Sequence, residues 1–164
     1  MSLRIALPLI FCAFSLLPSI LRAEEDQFVE RHVAILSAYK AFKDARADAE
    51  KIAKESKVPF SMQGRVYDKK RGLIYPDDFE DEAFRGGYVA RRFDKTILDG
   101  GDKETSYLSV EKSDAYKGFT PGYYIVVAGI RDNRADAVKQ AEKFKKWAPT
   151  AYAKKTKIYI GCLH

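Results

Sequence analysis

Residues 123–144 read YYIVVAGIRDNRADAVKQAEKF. The first seven are too apolar for a strand with one face in water, so they predict a central strand covered on both sides. IRDN is the turn, with Asp132 or Asn133 as the helix cap. From there Ala137, Ala141, Phe144 and Ala148 recur at helical spacing with Val138 beside them, and Pro149 ends the run. In TAYAKKTKIYIG, Ile158 and Ile160 then alternate with Lys157 and Tyr159, the pattern of a half-exposed or edge strand. The unit is strand, helix, strand.

An earlier segment has the same order. HVAILSAY (32–39) is an apolar strand, Phe42, Ala45, Ala49 and Ile52 mark a helical stripe, and VPFSMQGRVYD (58–68) offers a return strand. Pro59 and Gly64 would place that strand at an edge. RADA recurs at 46–49 and 134–137, with Lys51 and Ala53 matching Lys139 and Ala141. Two such units in one small sheet predict an α+β, ferredoxin-like fold whose central strands are the two most apolar segments. As the first strands of two repeats, Val33 to Leu36 and Ile125 to Ala128 are expected side by side and parallel. Residues 69–120 are too long for a bare connection, and GLIYPDD, GGYVARRF and TSYLSVEK between glycines predict a hairpin-rich insertion between the units. Helices cover only one face of such a sheet, so the insertion or a second subunit should cover the other.

The start of the chain is not part of that fold. MSLR, the apolar run IALPLIFCAFSLLPSIL and the small Ala23 have the three parts of an export signal, so residues 1–23 are expected to be removed and 24–164 to form one domain. Retention of the run would instead make it a membrane anchor. Arg4 and Arg22 leave with the signal, which lowers the formal charge of +6 by two. The remaining basicity favours an anionic partner, and export argues against nucleic acid. Only Cys162 would remain, which excludes an intrachain disulfide.

Patterns that would carry chemistry are sparse. His32 and His164 have no ligand set at metal spacing, and PDDFEDEAF (76–84) lacks the alternating ligands and central glycine of a calcium loop. Gly86-Gly87 and Gly100-Gly101 precede no helix of phosphate-loop order. The sequence therefore points to no enzyme, cofactor or metal. What it does offer are 10 tyrosines and 10 phenylalanines, several beside bases. Aromatic faces stack on sugar rings, and arginines pair with carboxylates.

YYIVVAGI, the alanine-containing helix after it and KIYIGC (157–162) resemble the SPOR domain, a bacterial envelope module of ferredoxin-like fold that binds peptidoglycan glycan strands. The resemblance implies an exported, periplasmic or envelope-located binding module whose partner is a cell-wall glycan. It also requires residues 31–68 to supply the other half of the sheet. Where the family carries a polar glutamine this chain has Val127. Glycan contact would then move to the rim of the sheet, at Arg91, Arg92, Tyr116 and Tyr159. The other reading is an envelope protein-interaction domain with no glycan ligand.

Overall fold

The computed structural model describes residues 28–91 and 107–159. In chain order its elements are β1 (Phe28–Tyr39), α1 (Phe42–Ser56), β2 (Val66–Asp68), β3 (Gly72–Ile74), β4 (Ser109–Lys112), β5 (Tyr124–Arg131), α2 (Arg134–Glu142) and β6 (Tyr152–Tyr159). Single 3₁₀ turns occupy Glu82–Phe84 and Ser113–Ala115.

The apolar segment at 123–129 forms β5, which is buried on both faces as its composition requires. Asn133 caps α2, its side chain accepting from the amide of Asp136 at 2.9 Å. The RADA repeat has a structural counterpart, since Ala49 and Ala137, and likewise Ala53 and Ala141, are buried at matching positions of α1 and α2. Alanine there lets a helix approach the sheet closely. Ile52 fills the wider space beneath α1, and full burial of such a side chain contributes about 1.5–3 kcal/mol. Regular α2 ends at Glu142, and tighter turns carry Phe144 and Ala148 into the same core.

β4, β5, β1 and β6 lie side by side in that order in one antiparallel sheet, with both helices on one face. This is the ferredoxin-like arrangement expected from the two units. Two details differ from the expectation. The first strands of the units are adjacent but antiparallel, with Val33 opposite Ile130 and Ile35 opposite Val127. Each strand-helix-strand crossover leaves a gap one strand wide, and the first strand of the other unit fills that gap from the opposite direction.

The second difference is the strand that returns from α1, which is Ser109–Lys112 and not residues 58–68. Positive φ at Gln63 and Gly64 turns that segment away from the sheet. A Cβ at Gly64 would lie 2.5 Å from the Phe79 ring, so the tight turn is also packed. Val66–Asp68 pairs with Gly72–Ile74 in a separate hairpin, and Phe60 bridges only Leu108. The inserted chain thus interrupts the first unit and returns to the sheet at β4. Residues 86–91 of GGYVARRF form no strand.

The face without helices is covered, as its apolar residues demand. Tyr116, Phe119, Ala115, Tyr123 and Ala90 pack over Val33, Ile35, Ile125, Val127 and Ile158. Val127 therefore lies beneath protein.

Candidate functional site

Of the four rim residues expected from sequence, the three within the described structure, Arg91, Tyr116 and Tyr159, do not converge. Arg91 is 2% exposed, donates to the carbonyl of Tyr107 at 2.8 Å, and lies 3.7 Å from the Tyr107 ring centroid. Tyr116 is 1% exposed and stacks on Phe119. Both are enclosed and present no surface to a ligand, which corrects their placement at the rim. Tyr159 is exposed at 43% and packs on Phe28 at the end of β6, across the sheet from the β4 edge where Arg91 lies. Arg92 lies outside the described residues, as do Ile160, Cys162, His164 and the segment 1–23.

Arg91 belongs to a buried polar cluster centred on Glu111. The strand β4 turns Val110 into the helix-side core, and Glu111 onto the other face. Arg65 meets the carboxylate with both terminal nitrogens, at 2.5 and 2.7 Å, with both side chains fully buried. Tyr88 donates its hydroxyl at 2.7 Å, and the backbone amide of Arg91 donates at 3.1 Å. The Tyr88 oxygen in turn accepts from the amide of Lys112 at 2.9 Å.

Burial alone would raise the Glu111 carboxyl, but the charge and hydrogen bonds of Arg65, aided by Tyr88 and Ser109, hold it below its ordinary value. Burial likewise opposes the charge on Arg65, and Glu111 overcomes that penalty. Tyr88 and Tyr116 are pushed well above ordinary tyrosine, first by desolvation and then by the Glu111 charge. Fully buried and engaged by Arg65, Tyr88 and the Arg91 amide, the Glu111 carboxylate can hold chain together but presents no exposed oxygen to a substrate.

An open cleft of about 170 Å³ lies on the same face, where β1 finishes and β5 and β6 begin. Phe119, Tyr123 and Tyr152 supply aromatic walls, with Ser113, Thr120 and Lys154 beside them. The Lys154 ammonium stands 4.6 Å from the Phe119 ring centroid, and that of Lys40 stands 3.6 Å from the Tyr123 ring. The Ser113 side chain accepts from the amide of Tyr123 at 3.0 Å, which ties the covering loop to the start of β5. Tyr152 is 47% exposed, so an aromatic face borders a pocket lined also by the Lys154 ammonium and by the Ser113 and Thr120 hydroxyls. That set can stack on a sugar ring and pair with a carboxylate.

Sequence reading missed this cleft because its walls come from three separated segments. The alternation of Tyr152, Lys154, Thr156 and Ile158 on one side of β6 was the only local signal. Among the described residues, no group of three His, Cys, Asp or Glu could hold a metal ion. No helix there is long and apolar enough to cross a membrane. Compared with known protein families, curated proteins and solved structures, the chain finds no match.

Proposed function

We propose that the chain is an exported, non-enzymatic binding module of the bacterial envelope that holds an acidic cell-wall glycan in the cleft between Phe119, Tyr123, Tyr152 and Lys154. The observation that carries this reading is the cleft itself, in which aromatic walls and the Lys154 ammonium meet on the helix-free face of the sheet, with the Lys40 ammonium against the Tyr123 ring. A sugar ring would lie against Tyr152. Lys154 and Lys40 would face a carboxylate such as the lactyl group of peptidoglycan. Contact thereby moves from the residues read at the rim to the mouth of the cleft.

Sedimentation with amidase-treated sacculi tests it. Wild-type protein should pellet at low salt, Tyr152→Ala should reduce pelleting at any salt, and Lys154→Ala should reduce it most at low salt, because exposed charges are screened within about 8 Å at physiological ionic strength. Tyr159→Ala, at the far end of β6, should pellet like wild type. Wild-type protein remaining in the supernatant would reject the glycan and leave the envelope protein-interaction domain as the reading.

A further inference from the structure

The β6 strand pairs with β1 alone, in unbroken register from Phe28 opposite Tyr159 to Ile35 opposite Tyr152. In an antiparallel ladder, successive residues turn both backbone groups alternately toward and away from the partner strand. The carbonyl of Lys157 accepts from the amide of Lys117 at 3.5 Å, which lies off the sheet, so Lys157 is an outward residue. Ala153 and Lys155 share its orientation. Among the described residues, nothing bonds to their outward amides and carbonyls.

Lys154, Lys155 and Lys157 surround this open row. Pairing with a second copy would set lysines against lysines, which repels. A carboxylate-bearing strand has the opposite effect, and one such contact already exists, since Glu30 meets Lys155 at 2.7 Å. We infer that the β6 edge is a docking site for an extended acidic peptide of another protein, added as a fifth strand. Backbone hydrogen bonds at Ala153 and Lys155 would give affinity, and alternating Glu or Asp side chains facing the lysines would give selectivity. The site adjoins the cleft, sharing Lys154 with it, but is formed by the outward backbone of Ala153 and Lys155.

The probe is a capped ten-residue peptide of alternating Glu and Val, added to the ¹⁵N-labelled protein. Controls are a Lys–Val peptide and a Glu–Val peptide N-methylated at alternate residues. Glu–Val should slow amide exchange at Ala153 and Lys155 by roughly tenfold or more when saturating, and its binding should weaken with salt. Neither control should do this. Lys155→Glu with Lys157→Glu should lose the Glu–Val peptide and gain the Lys–Val peptide, a gain that an unfolded variant could not produce. The inference is overturned by no protection at Ala153 and Lys155, by shifts confined to Tyr123 and Ser113 in the cleft, or by equal binding of the N-methylated or Lys–Val peptide.

Discussion

The two edges of the sheet treat their polar residues in opposite ways. At β4, four residues long, the inserted chain closes over the edge: Leu108 donates to Pro59 at 2.7 Å and accepts from Ser61 at 2.9 Å, and Arg65 reaches Glu111. At β6, eight residues long, the outward backbone of Ala153 and Lys155 has no partner among the described residues, and lysines flank it. A charge in a strand therefore indicates an edge, but not whether water or protein lies beyond it. A buried, hydrogen-bonded ion pair and a solvated charged edge are both stable solutions, and a buried charge without its partner is costly.

The sharpest way to break this contrast is Glu111→Ala, which leaves the buried Arg65 guanidinium without its anion. Unfolding in denaturant should show a loss of about 3–5 kcal/mol. The double replacement Arg65→Met with Glu111→Leu should cost less than the two single changes added together, with a coupling of about 0.5–3 kcal/mol. Simple additivity would mean that the two side chains do not act as a pair.

Acid should separate the edges next. The folded Glu111 carboxyl titrates below its unfolded value of 4.5, so its contribution is present above that pH and is lost as pH falls through the folded value. Stability measured from pH 7 downward should decline below about pH 4.5, and Glu111→Gln should be less stable at neutrality with a shallower acid decline. An unchanged slope would assign acid sensitivity to other carboxyls. The smallest effect belongs to β6: Lys155→Ala removes an exposed, solvent-screened pair with Glu30 and should leave the denaturant midpoint close to that of the wild type. A larger loss would mean that this edge, too, is closed by contacts through Lys155.

Much of the fold was legible in single segments. The continuous apolar run of β5, the alanine-based stripes of α1 and α2 and a cap at Asp132 or Asn133 are properties of neighbouring residues; each reappears in place, with Asn133 as the cap. The stripe of α2 held one surprise in Gln140, which is buried and donates to the Ala128 carbonyl at 3.2 Å. The site was less legible. Arg91 and Tyr116 read as surface residues because Arg and Tyr carry polar groups, yet their surroundings are supplied by β4 and by each other's loops.

By itself, the sequence determined that two strand-helix-strand units would form and which faces of their helices would be buried, because periodicity is set within a few residues of chain. Only the tertiary structure decided that β4 and not residues 58–68 completes the first unit, and that neighbouring strands run antiparallel. It also placed Arg65 against Glu111 and the walls of the cleft around one space. Those outcomes depend on partners distant in the chain. A hydrogen bond or ion pair takes its energy from the partner's position and from the exclusion of water, neither of which is written in the order of adjacent residues.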